Sequence, residues 1–218
     1  MENILKNYIE KLDELYITKI EEMLNNENSG KKECIIARQE FKDLLKLKNL
    51  YETLFKGIDK DYVSLSIFLI FKNQALFPNG GTFRNTSAII SGSTVKCSEH
   101  RNISKELTNL NNEFVDLKNK AKNCEDKEEF IKEVLELKAK VVKIHPFPDG
   151  NGRCSRALVD CLLMLAGLEV TPYNKLDYNE HKKYIDAMAK MLEENNSNDL
   201  MEFYKGHITN LNNKVKRK

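Results

Sequence analysis

The chain has 218 residues, and its 35 Lys and Arg against 33 Asp and Glu leave a formal net charge of +2. Hydrophobic residues make up 41% and charged residues 31%, the composition of a folded chain and not of a disordered one. So balanced a charge gives no ground for bulk binding to nucleic acid or a membrane surface, and nine glycines with four prolines are too few for a linker or low-complexity chain.

From the amino terminus, Leu5, Tyr8, Ile9, Leu12, Leu15, Tyr16, Ile20 and Leu24 repeat at three-and-four spacing and predict an amphipathic helix over 2–25. This segment is charged and lacks the apolar core of a signal peptide. NNENSGKK then breaks the pattern, and a second helix is predicted near Cys34–Phe55. Val63–Phe71 (VSLSIFLIF) is apolar on nearly all faces and reads as a buried helix, with a strand as the competing reading. It is about half the roughly 20 residues a membrane-spanning helix needs. Phe77–Thr94 gathers Gly, Pro, Ser and Thr around Ala88–Ile90, the pattern of a β-hairpin or ordered loop.

Helical patterning resumes over Ser104–Lys122 and over Lys127–Ile144, where Phe130, Val134, Leu137 and Val141 share a face. After the punctuated stretch His145–Arg153 comes a helix with Leu158, Leu162 and Leu165 on one side, stopped by Gly167 with Pro172 beyond it. Helices over Asn179–Glu194 and Asp199–Lys214 and a basic tail complete the chain, an all-α protein with one small β element. The five cysteines, Cys34, Cys97, Cys124, Cys154 and Cys161, form no CxxC pair, which points to a reducing, cytoplasmic setting.

Chemistry concentrates in His145-Pro146-Phe147-Pro148-Asp149-Gly150-Asn151-Gly152-Arg153-Cys154-Ser155-Arg156. Pro146 and Pro148 force the chain out of helix, and a new helix begins at Asp149–Asn151. The free N–H groups of its first turn, backed by the helix dipole, form an anion site that glycines leave open to close approach. Arg153 and Arg156, three apart on one face, add planar guanidinium forks suited to a polyphosphate. Asp149 is a hard oxygen ligand beside that site, fit for Mg²⁺ shared with substrate phosphates. His145, with a reference pKa near neutrality, is the natural general base.

This stretch resembles the signature of Fic-domain proteins, HPFx(D/E)GNGRxxR, at every specified position. GTFR at 81–84 with the following TSAIISGS resembles the family's flap, and Tyr184 with Ala187-Met188 resembles its downstream helix. The resemblance implies an all-α Fic-type helical domain with a small β-hairpin flap over residues 57–205, an amino-terminal helical extension over 1–56, and a helix end with basic tail over 206–218. It implies transfer of AMP from ATP to a Ser, Thr or Tyr hydroxyl of a target protein. His145 would be the base and Asp149 the Mg²⁺ ligand. The backbone around Gly150 and Gly152, together with the Asn151 side chain, would hold the α- and β-phosphates, and Arg153 and Arg156 the outer phosphates.

On the same resemblance Tyr184 is assigned to the adenine pocket, and the flap, Thr86, Ser87, Ala88 and Ile89, to holding the target as an added strand. Relatives with phosphotransferase activity carry Lys where this chain has Gly152, so the glycine favours adenylylation. Many relatives carry an inhibitory (S/T)xxxE(G/N) helix. Here the best internal match is Thr18 with Glu22, though Met23 follows, and an antitoxin-like partner is the other source of inhibition. Two alternatives remain open at this point. One is a nucleotide- and peptide-binding module without turnover, and the other is Fic-type transfer of another nucleotide-derived group.

Overall fold

A computed structural model describes residues 63–210, apart from 78, 79, 92, 172, 174 and 175. The helices expected over 2–25 and Cys34–Phe55, and the Thr18/Glu22 pair, lie outside the described residues. Among the described residues the chain forms six α-helices. The first, α1 (Leu65–Leu76), is the apolar run, and helix wins over strand there. The Ser64 side chain accepts from the Ile67 N–H at its start. The run is not buried all round: Leu65, Phe68 and Leu69 point inward, whereas Ile67 and Phe71, four apart on the opposite side, are 39% exposed. A helical period gives this segment one inner face.

A 3₁₀ turn at His100–Asn102 leads into α2 (Ile103–Lys122), whose Ile103, Leu107, Phe114, Leu117 and Ala121 form the buried stripe. The next helix, α3 (Lys127–Ile144), has the bounds its periodicity predicts, and Asp126 caps its start by accepting from the N–H groups of Glu128 and Glu129. It is followed by α4 (Asn151–Leu165). Gly167 at φ 75° ends that helix and turns the chain into β1 (Leu168–Val170). Next, α5 (Tyr178–Glu193) opens on a capping box between Asp177 and Glu180, and α6 (Asn198–His207) packs on it. The central element is α3, which touches α2, α4, α5 and α6, while α1 closes the far side against α2 and α4. Each fully buried Leu or Phe in this core stabilises it by roughly 1.5–3 kcal/mol.

Two details depart from the sequence expectation. Helix α6 does not run to Lys214. It stops at His207, and β2 (Ile208–Asn210) pairs antiparallel with β1, Leu168 opposite Asn210 and Val170 opposite Ile208. The β-branched pair Ile208-Thr209 finds ladder partners there, and the Thr171 N–H donates to the His207 carbonyl, so strand pairing overrides the helical period. Among the described residues of the 77–94 region the β character is one antiparallel bridge, Ile89 with Lys96, so the returning arm lies beyond Thr94.

The core contains a polar centre on α3. Lys138, wholly buried on α3, donates to the hydroxyls of Tyr184 (2.5 Å) and Tyr204 (3.2 Å), and its ammonium lies 4.5 Å and 5.2 Å from their ring centroids. Burial pulls its pKa down. Replacing Lys138 by Ala leaves two tyrosine hydroxyls without their donor and opens a cavity, so the urea midpoint should fall by the equivalent of about 3 kcal/mol. Lys138→Met fills the volume and should lose about half as much.

Candidate active site

The His145–Arg156 segment links the end of α3 to the start of α4, and its geometry comes from two asparagines and an arginine. Asn151 turns its side chain inward. Its Oδ1 accepts from the Phe147 N–H at 2.9 Å and its Nδ2 donates to the Phe147 carbonyl at 2.7 Å, closing the loop on itself. The amide expected on the phosphates is therefore spent on the loop, and the backbone N–H is what Asn151 offers at the helix start. Asn73, buried on α1, donates from Nδ2 to the Asp149 carbonyl at 2.9 Å and accepts from the Gly81 N–H at 2.8 Å. It joins α1, the loop and the root of the flap.

Gly150 is the N-cap of α4, with φ 83° and no side chain to occupy the first-turn donors. A Cβ there would lie 2.7 Å from Phe77 Cε2 and 2.9 Å from Asn73 Nδ2, so both conformation and space select glycine. The Cys154 N–H already donates to the Gly150 carbonyl, so the cradle consists of the donors before it. Gly152 is different: an added Cβ would meet only Arg156 Nη1, at 3.3 Å.

Arg153 lies with its guanidinium carbon 4.7 Å from the Phe77 ring centroid and its Nη2 3.5 Å from Asp149 Oδ2. Arg156 stacks at 3.9 Å over Tyr173. Aromatic faces thus hold both arginines in place while leaving fork edges free for an anion. The Asp149 side chain is 74% exposed, its other oxygen accepts from the Gly150 N–H, and it is the one carboxylate among the residues lining the cleft. No cluster of three or more His, Cys, Asp or Glu side chains able to hold a metal exists among the described residues. A cation at Asp149 would therefore need oxygens from a substrate, which suits Mg²⁺ on a polyphosphate.

His145 is the C-cap of α3, in the left-handed region at φ 52°. Its Nδ1 lies 3.3 Å from the Val142 carbonyl, and since a carbonyl can only accept, that bond places the proton on Nδ1 and the lone pair on Nε2. Partial burial pulls the imidazole pKa down, against a smaller upward effect of the Val142 bond, and nearby Arg84 adds to the lowering.

These groups share a cleft of about 490 Å³. One wall carries His145, the loop and the arginines. Tyr184, Ile185, Met188 and Leu192 of α5 make an apolar wall, and Ile89, Ile90, Ser91 and Ser93 close it from the flap. Tyr184 turns its hydroxyl to Lys138 and packs edge-on to Tyr173, 5.2 Å between centroids. Of Thr86, Ser87, Ala88 and Ile89, Ile89 alone lines the cleft, and it is 84% exposed. Thr86 gives its carbonyl to Arg84, Ser87 is exposed and Ala88 half-buried.

Three of these supports carry no sequence signal of their own role. Besides Asn73, Glu193 at the end of α5 accepts from Ser93 Oγ (3.0 Å), Thr94 N–H (2.9 Å) and Thr94 Oγ1 (3.1 Å), pinning the flap's outer arm. Arg84, buried behind the flap, donates from Nε to the His145 carbonyl at 2.7 Å, from Nη1 to Thr86 at 2.6 Å, and from Nη2 to the carbonyls of Ser98 and, at 3.1 Å, Ile144. The GTFR motif marked Arg84 as part of a flap but not as the tie to His145.

The family model described as the Fic/DOC family matches residues 43–163. No curated protein matches the chain. Among solved structures, a Fic domain containing signalling protein from Bacteroides thetaiotaomicron superposes with a TM-score of 0.61 at 14% identity, covering 94% of this chain and 85% of that one. BepC from Bartonella tribocorum, solved with bound AMPPNP, gives 0.54 at 20% identity, over 74% of this chain and 87% of that one. The amino-terminal Fic domain of a Bep effector from Bartonella quintana, solved with bound ADP, gives 0.58 at 16%, over 79% and 86%. At these identities the likeness is one of fold.

The two glycines separate experimentally. Gly150→Ala should lower the melting temperature by several degrees, because a positive φ and two sub-3 Å contacts each cost on the order of 1 kcal/mol. Gly152→Ala should melt within a degree or two of the parent in the same thermal scan.

Proposed function

The chain belongs to the Fic/DOC family, and from that membership we propose that it is a transferase moving AMP from ATP to a Ser, Thr or Tyr hydroxyl of a target protein. The observation that carries the reading is the cleft in which a histidine held at Nδ1 by the Val142 carbonyl shares the space with a helix start that has no side-chain cap and two aromatic-stacked arginines. In this reading the triphosphate lies along the first turn of α4. The N–H groups at the Gly150–Arg153 turn take the inner phosphates, and Arg153 and Arg156 take the outer ones. The base and ribose lie toward the apolar wall of α5, where Tyr184 and Met188 offer flat and adaptable surface.

His145 Nε2 takes the proton from the target hydroxyl as its oxygen attacks the α-phosphorus. The bond from that phosphorus to the oxygen leading to the β-phosphate breaks, and pyrophosphate leaves with its charge held by the two arginines. Mg²⁺ bound by Asp149 together with substrate phosphates would supply charge neutralisation on the transferring and leaving groups. The glycine at 152 leaves the outer end of the cradle uncrowded. The bound nucleotides of the two Bartonella structures support a nucleotide substrate for this cleft. The target reaches it past Ile89 on the flap.

Incubation with ATP labelled at the α-phosphate should label protein, detected by gel and by a mass increase of one AMP. His145→Ala should lose about 10²–10⁴-fold of that rate. Label from the γ-phosphate in place of the α-phosphate, or full activity in His145→Ala, would overturn the assignment.

The pH dependence follows from the lowered imidazole pKa. A base whose pKa lies below the ordinary value stays unprotonated on further acidification. The acid limb of a kcat/KM profile for transfer should therefore have its midpoint below pH 6.5, the ordinary imidazole value.

A further inference from the structure

Arg84 is buried to 4% exposure and is not among the residues lining the cleft, yet its bonds surround the base. Nε and Nη2 hold the carbonyls of His145 and Ile144, the last two at the end of α3. Nη1 and Nη2 hold those of Thr86 and Ser98, the outgoing and returning arms of the flap. The Arg84 N–H adds a bond to the Pro146 carbonyl at 2.9 Å, and the Ser98 N–H donates to Lys143 at 3.1 Å. The left-handed backbone of His145, a conformation costing a non-glycine residue roughly 1–2 kcal/mol, is thus held from both sides. We propose that Arg84 is a positioning residue for the transfer reaction, which fixes the His145 backbone in its left-handed turn and links it to both arms of the flap, so that the target-docking segment and the general base move as one body.

The proposal rests on the adenylyl-transfer reading for its reaction, but its mechanical part stands on the bonds alone. Four backbone carbonyls accept from one planar group, and two of them end a helix whose dipole favours a cation there. A lysine has the charge but not the fork, so it cannot reach two flap arms and two helix carbonyls together. The charge has a second effect. It lies beside His145 with the base between it and the cleft, where Asp149, Arg153 and Arg156 are the other charged groups, and it disfavours the imidazolium.

Arg84→Lys and Arg84→Gln are the variants, in the full chain, with folding checked by circular dichroism. Both should lower kcat for AMP transfer about 10–100-fold, the usual cost of a base displaced by an ångström or less. Both should change the calorimetric Kd for a non-hydrolysable ATP analogue less than about threefold, since Arg84 does not touch the cleft. In an NMR titration the His145 imidazole midpoint should rise in Arg84→Gln and stay near the parent's in Arg84→Lys. Unchanged kcat in folded variants overturns the proposal, as does a His145 midpoint that Arg84→Gln leaves in place.

Should neither variant fold, the parent supplies the test. The Arg84 Nε–H resonance should shift with the same midpoint as the His145 ring, and an Nε–H blind to that titration overturns the tie. A parent that transfers no AMP to any protein would instead overturn the functional reading, and the titration would still judge the tie.

Discussion

Burying a guanidinium is costly unless its donors find acceptors in the right plane, and Arg84 places four of its five N–H donors on backbone carbonyls. Its acceptors come from three places in the chain: the flap's outgoing arm, its returning arm, and the end of α3. None of those carbonyls has a regular partner in helix or sheet, so the arginine and the irregular backbone satisfy each other. Take the charge away and the flap root, the left-handed turn at His145 and the α3 terminus each have unpaired groups to resolve. The His145 wall of the cleft is therefore held from behind, by a residue that is not among those lining it.

The loop that follows uses the same economy with neutral groups. Asn151 closes it on Phe147, and Asn73 bolts it to α1 and to Gly81. With those side chains occupied inward, the outward-facing elements are N–H groups, two guanidinium forks and one carboxylate. Rigid support behind and unpaired donors in front are what an anion site needs, because donors fixed in advance lose little freedom when the phosphate arrives. The stacking of Arg153 on Phe77 and of Arg156 on Tyr173 does for the side chains what the asparagines do for the backbone.

Behind the apolar wall the Lys138 centre extends this logic into the core. Tyr184 is held at its hydroxyl by Lys138 and at its ring by Tyr173 and Phe203, the second of these 5.4 Å away between centroids. Tyr173 in turn carries Arg156. The arginine end and the apolar end of the cleft thus share one aromatic cluster, anchored by buried Lys138 on the same helix that is capped by His145. On the open side the Ile89–Lys96 bridge and the Glu193 contacts hold the flap.

Much of this was legible from the residues in order. Helical periodicity is local, so α2, α3, α4 and α5 appeared close to their bounds. The His145–Arg156 run was legible as a loop followed by a helix start because its prolines and glycines act within one loop and the turn after it. What lay outside the reach of the sequence was every pairing between distant segments. The end of α6 was misread because β2 exists only by virtue of β1, some forty residues earlier, and the Asn151 amide was misassigned because its partner is loop backbone and not ligand. Arg84, Asn73, Glu193 and Lys138 look like ordinary polar residues in the chain. Their roles were decided only when the tertiary structure brought them against carbonyls, hydroxyls and N–H groups far away in sequence, where burial of Arg84, Asn73 and Lys138 made their bonds obligatory.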